Sequence, residues 1–256
     1  MLPARRLPGT ARPRRHTPEA PAATPAVQPR GGGGAVALAV QRDVEADDLL
    51  ADLVRPAGTL TGAGRYSPEA TFESYLEAEE IGYPAGCLRT VASMVESYPA
   101  LFGGIQPDDY LSEATRELKP FELMAAQELT ADKLNTLIKE RLGRCTQEAF
   151  FSPAVFDEHS PEMEALRRAL KWNDLTTGWT PRHRIVYARS SDDEVIPYAN
   201  VERLLQAFGD TGLPVHYDNA ALPEQRSHAA YGLQWMRQVY SRIPDILRQY
   251  FPEWWK

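Results

Sequence analysis

Residues 181–208, PRHRIVYARSSDDEVIPYANVERLLQAF, decide the fold. Ile185-Val186-Tyr187-Ala188 is a short β-branched and aromatic run with charge at both ends. That is the pattern of a strand buried on both faces. Residues 190–194 cannot continue it, and Pro197 has no amide to give to a ladder. Val201, Leu204, Leu205 and Phe208 then fall at i, i+3, i+4 and i+7, one face of an amphipathic helix. The unit is strand, acidic loop, helix. In an open α/β sheet, ligands and chemistry gather at the carboxyl ends of the strands. Here that place holds Asp192, Asp193 and Glu194.

Residues 190–197, SSDDEVIP, resemble the acid loop of α/β-hydrolases, where a strand ends in a small residue, an acid follows and Val-Pro or Ile-Pro closes the loop. Downstream, Arg226-Ser227-His228 opens a helix, as that family's catalytic His loop does. The order acid then His agrees with the family order Ser, Asp/Glu, His. Residues 172–181, WNDLTTGWTP, are similar to a subgroup of larger, often secreted bacterial esterases, lipases and peptidases. The resemblance covers roughly residues 100–245. It implies a parallel sheet flanked by helices, with a helical cap over residues 111–172 of a domain spanning 35–256. It also implies ester hydrolysis, less often peptide hydrolysis, by a Ser-His-Asp mechanism. Asp193, four residues before Pro197, is the expected acid, with Asp192 as runner-up, and His228 is the expected base.

The expected nucleophile is harder to place. The family's elbow is Gly-x-Ser-x-Gly between a strand and a helix. Residues 82–86, GYPAG, keep both glycines, Gly82 and Gly86, but have Pro84 in the central position. Proline offers no hydroxyl and is locked near a φ of about −65°, outside the strained region an elbow occupies. The segment reads either as a degenerate elbow or as a helix–turn–helix whose second helix starts at Pro84. Cys87, on the first turn of that helix, is a possible substitute nucleophile, against the reading of a buried inert thiol. Two outcomes stay open: a hydrolase whose nucleophile lies elsewhere, or a catalytically inactive binding module or truncated gene product.

Composition bounds the rest. The 256 residues are 43% hydrophobic, enough for a sizeable core, and the net charge of −7 argues against nucleic acid as a partner of the folded part. Residues 1–34 hold seven Pro, six Arg, one Glu and a terminal Gly run, leaving 22 basic and 34 acidic residues to the remainder. Such a stretch cannot bury enough apolar surface to order itself, so a disordered tail is expected. A basic arm for nucleic acid or anionic lipid and a mis-assigned start are the other readings. Two cysteines give no disulfide framework and no metal spacing. No phosphate-binding glycine loop exists, so no cofactor is expected. No apolar run approaches the ~18 residues of a membrane span. No secretory core is visible, which leaves the cytoplasm as the default compartment. Small-molecule esters or peptides are the expected partners, and the oligomeric state is left open.

Along the chain, residues 35–54 read as one strand and one helix, and 58–67 as loop. Residues 68–80 read as a helix capped by Ser67. The early strands of the family are not visible before residue 100, so this end reads as truncated or degenerate. Residues 111–143 read as mostly helical and 213–217 as a strand. Residues 220–227 read as loop, and 229–242 as a helix with Leu233, Met236 and Val239 inward. His183 and His216 lie among strand residues and read as ordinary. Phe251, Trp254 and Trp255 read as folding back onto the domain.

Overall fold

A computed structural model describes residues 32–54, 56–127, 129–217 and 227–252. The expected disordered tail, up to residue 31, lies outside the described residues, as do most of the 220–227 loop and Trp254 and Trp255. The described elements begin with α1 (Gly32–Ala46), α2 (Asp48–Val54) and β1 (Gly58–Gly62). A helical run follows: α3 (Pro68–Glu77), α4 (Pro84–Ser97), α5 (Pro99–Phe102), α6 (Glu113–Arg116), α7 (Pro120–Ala125), α8 (Ala131–Leu142), α9 (Gln147–Phe150) and α10 (Pro161–Trp172). Then come β2 (Arg184–Ala188), α11 (Ala199–Phe208), β3 (Pro214–His216) and α12 (His228–Tyr250).

The sheet has three parallel strands in the order β1-β2-β3. β2 is central, and Ile185, Val186 and Ala188 are fully buried, with Tyr187 nearly so. Its neighbour β1 corrects the sequence reading of residues 58–67 as loop. Gly-Thr-Leu-Thr-Gly has the composition of a turn, yet each residue pairs in register with β2, from Gly58 with Arg184 to Gly62 with Ala188. Gly58 is glycine for space as well as angle. Its φ is 142°, and a Cβ there would stand 2.4 Å from the Arg184 carbonyl oxygen and 2.7 Å from the Phe251 ring.

Residues 35–40 form part of a helix, not the expected strand. Burial in α1 recurs at Gly34, Leu38, Gln41 and Glu45, a helical period, while Val36 and Val40 face outward. Glu45, at the end of α1, is buried and accepts the amide hydrogens of Arg182 (2.7 Å) and His183 (3.2 Å). The helix is thereby tied to the entry of β2.

The helical insertion between β1 and β2 is longer than expected, beginning at Pro68 rather than near 111. Its start is the capped one read from sequence: the Ser67 hydroxyl accepts the Ala70 amide, and Pro68 takes the first helical position. The insertion builds its own core, in which Phe72, Leu88, Leu134, Ile138, Phe150, Phe151 and Leu166 are buried together. Two further clusters cover the two faces of the sheet. One is formed with α12 through Tyr231, Trp235 and Val239, the other with α1 and α11 through Leu38, Val201, Leu204 and Phe208. Leu233 departs from the expected inward face of the last helix, being 53% exposed. Among the described residues no helix is long and apolar enough to cross a membrane.

Candidate active site

The loop after β2 is organised by one carboxylate. Asp193 Oδ1 accepts the amides of Val195 (2.9 Å) and Ile196 (2.8 Å), closing an Asx turn before Pro197. Its other oxygen, Oδ2, lies 2.8 Å from His228 Nδ1. The two side chains are 3% and 11% exposed, so this contact is shielded from solvent. His228 is the first residue of α12, and its amide donates to Glu194 Oε2 at 2.9 Å. One loop therefore holds both the ring and the start of the helix that carries it. An ionised carboxylate only accepts, so Nδ1 bears the proton and Nε2 is the basic nitrogen. That arrangement suits a general base oriented by an acid.

His228 lines a cavity of about 1290 Å³ between the sheet layer and the helical insertion. Ala35 and Val36 at the start of α1, Tyr83 just before α4, Arg89 of α4 and Leu134 of α8 also face it. Asp192 stays outside the site, exposed and bonded to Ser191 and Ser190. His183 pairs instead with Glu45, Nδ1 to Oε1 2.8 Å, at the amino end of β2 and so at the opposite edge of the sheet.

Residues 82–86 do not form an elbow. Pro84 is the first residue of α4, Tyr83 is its N-cap, and a bend rather than a strand precedes it. A Cβ at Gly82 would meet nothing within 4 Å, and Gly86 lies inside the helix against the Tyr75 hydroxyl. The turn is an ordinary Pro-initiated helix start. Cys87 is fully buried, and burial pushes its thiol well above the ordinary range, which removes the thiolate a nucleophile needs. Sequence reasoning missed Glu194, whose role depends on a helix start 34 residues away, and Arg65, a lone cation in Gly-Ala-Gly-Arg-Tyr with no spacing to mark it. Arg65 donates from Nη1 to Thr90 Oγ1 (2.9 Å) and faces the same cavity.

A parallel sheet with an acid after the central strand, a histidine opening the helix after the next, and a helical cap between strands defines an α/β-hydrolase-like fold. Solved structures of the rice cell wall degrading esterase LipA from Xanthomonas oryzae are similar. A point mutant of that esterase matches with a TM-score of 0.58 and 18% identity over 85% of this chain and 57% of that one. A ligand-bound form matches with a TM-score of 0.53 and 16% identity over 86% and 56%. This chain thus spans somewhat more than half the length of those chains, and at such identity the likeness establishes the fold. No family model and no curated protein matches the sequence.

Proposed function

We propose that this protein is an esterase-type α/β-hydrolase-like protein whose acid, Asp193, and base, His228, are assembled in a cleft for small-molecule esters. The single observation that carries this reading is the shielded 2.8 Å contact between Asp193 Oδ2 and His228 Nδ1 on the cavity wall. The esterase activity of structural neighbours of the same fold supports it.

In a serine hydrolase of this fold the nucleophile stands on a turn that leads into a helix. Here the first turns of α1, α3, α4 and α8 all reach the cleft that His228 lines, through Ala35, Pro68, Ala85 and Ala131. Residues 1–31, which precede α1, contain Thr10, Thr17 and Thr24 but no serine and no cysteine; the Ser67 hydroxyl before α3 is bonded to the buried Asp174, Tyr83 and Pro84 open α4, and the Thr130 hydroxyl caps α8. The proposed chemistry is therefore slow hydrolysis by water: Nε2 of His228 takes the proton as the water oxygen attacks the ester carbonyl, and the tetrahedral intermediate then breaks its bond to the alcohol oxygen, which leaves with that proton from Nε2. Without a covalent nucleophile, the expected acceleration is at most on the order of 10³–10⁴-fold. Binding of esters without turnover is the second reading, favoured by the same missing serine. Turnover of p-nitrophenyl butyrate and labelling by a fluorophosphonate test both. Slow turnover that His228→Ala abolishes, with no labelling, is expected. No turnover would select the binding reading, and turnover indifferent to His228→Ala would overturn the base assignment. Labelling would show a reactive serine and overturn the water route.

A further inference from the structure

Among the charged residues that line the cleft, Arg65 alone, among the described residues, has a buried polar atom with no hydrogen-bond partner. It follows β1 and is half-buried. Thr90, fully buried in α4, gives its own proton to the Gly86 carbonyl (2.9 Å) and so presents its lone pairs to Arg65 Nη1. The guanidinium is thereby fixed at one nitrogen. Its Nε–H is shut off from solvent and has no acceptor. No carboxylate pairs with it among the described residues. By contrast Arg42, also on the cavity wall, has a carboxylate partner in Asp43 at 3.0 Å. A half-buried cation with no carboxylate beside it is costly unless an anion pairs with it. Nη2 is neither bonded nor shut off, so the end of the guanidinium, Nη2 with the second hydrogen of Nη1, is what the cleft offers to the two oxygens of a carboxylate.

We propose that Arg65 is the anchor for a carboxylate-bearing ligand in this cleft. A monoanion is favoured over a phosphate because Glu194 and Asp132 also line the cavity and repel a dianion. Met94, Leu134 and Met236 line it too, so the body of the ligand is apolar. Where the esterase reading holds, on which this clause alone rests, the preferred substrate is an ester that carries a free carboxylate away from the scissile bond.

Phenylbutyrate and phenylbutanamide, which share one apolar body and differ in charge, are the probes. Their binding is measured by isothermal titration on the full chain, wild type beside Arg65→Gln, Arg65→Lys, Arg89→Gln and His228→Ala. Wild type is expected to bind the acid about tenfold or more tighter than the amide. Arg65→Gln removes the preference, and Arg65→Lys, which keeps the charge without the planar edge, reduces it to a few-fold. Arg89→Gln and His228→Ala retain it, so failure of the esterase reading leaves this result standing. Wild type binding both probes alike, or neither, would overturn the proposal. So would a full preference surviving in either Arg65 variant, or a preference lost in Arg89→Gln.

Discussion

Two aspartates show how much one carboxylate can organise. Asp174, after α10, is 3% exposed. Its Oδ2 accepts the Ser67 hydroxyl (2.5 Å), and its Oδ1 accepts the Thr176 amide (2.7 Å) and hydroxyl (2.5 Å). Ser67 in turn takes the Ala70 amide and gives its own amide to Asn200 Oδ1 at 3.1 Å. The network fastens the two ends of the helical insertion to each other and to α11. Asp174→Ala strands three donors in the interior and is expected to cost about 3 kcal/mol, seen as a lower urea midpoint at unchanged slope. A loss below about 0.5 kcal/mol, the scale of an ordinary surface change, would refute this. Asp193→Asn separates stability from chemistry. Its amide oxygen can still accept from Val195 and Ile196, but an NH₂ then faces His228 Nδ1 and reverses the tautomer. The melting temperature should move by only a few degrees, whereas ester turnover should fall to that of His228→Ala. At this scale the sequence displayed Asp193 and His228, because each sits in a local pattern. It concealed the Asp174–Ser67 bond, whose partners are 107 residues apart.

The elements differ in how openly they are written. β2 and α11 were legible because one has an unbroken β-branched run and the other a clean apolar stripe. β1 and α1 were not. β1 is bracketed by glycines that serve close packing, and those same residues spell a loop. α1 opens in a glycine run that belongs, by composition, to the tail before it. Gly34 has a packing reason: a Cβ there would stand 2.5 Å from Thr61 Oγ1, 2.7 Å from Gly64 Cα and 3.0 Å from the Gly62 carbonyl oxygen. Alanine favours a helix by about 1 kcal/mol over glycine. Overpacking against backbone costs about 1–3 kcal/mol. Because two of the three obstructing atoms are main chain, the clash should win, and Gly34→Ala should lower the melting temperature by a few degrees. An increase would show that α1 sits farther from β1 than described.

The whole molecule is built around buried groups that ionise only at high pH. Burial pushes the Cys145 thiol up to about 11 and the Tyr66 phenol up to about 12, and it raises Cys87, Tyr75 and Tyr110 as well. In the unfolded chain thiols lose their protons near ~8.5 and phenols near ~10. Above about pH 8.5 the unfolded state thus binds fewer protons than the native one, and stability falls as pH rises. Thermal unfolding should show the melting temperature dropping steadily from about pH 8.5 to about pH 11, after little change just below that range; a flat profile would contradict it. The same burial should leave Cys87 unalkylated by iodoacetamide in the native state near neutral pH. The arrangement of sheet, cap and cleft brings the acid loop and the start of α12 to one place, and the tautomer of His228 reports that arrangement directly. Nitrogen chemical shifts of the imidazoles are measured at about pH 8, where ordinary imidazoles are neutral, with His228→Ala identifying the resonance. A protonated Nδ1 and an unprotonated Nε2 are expected in the wild type, reversed in Asp193→Asn. An Nε2-protonated ring in the wild type, or a ring that ignores Asp193→Asn, would contradict the site.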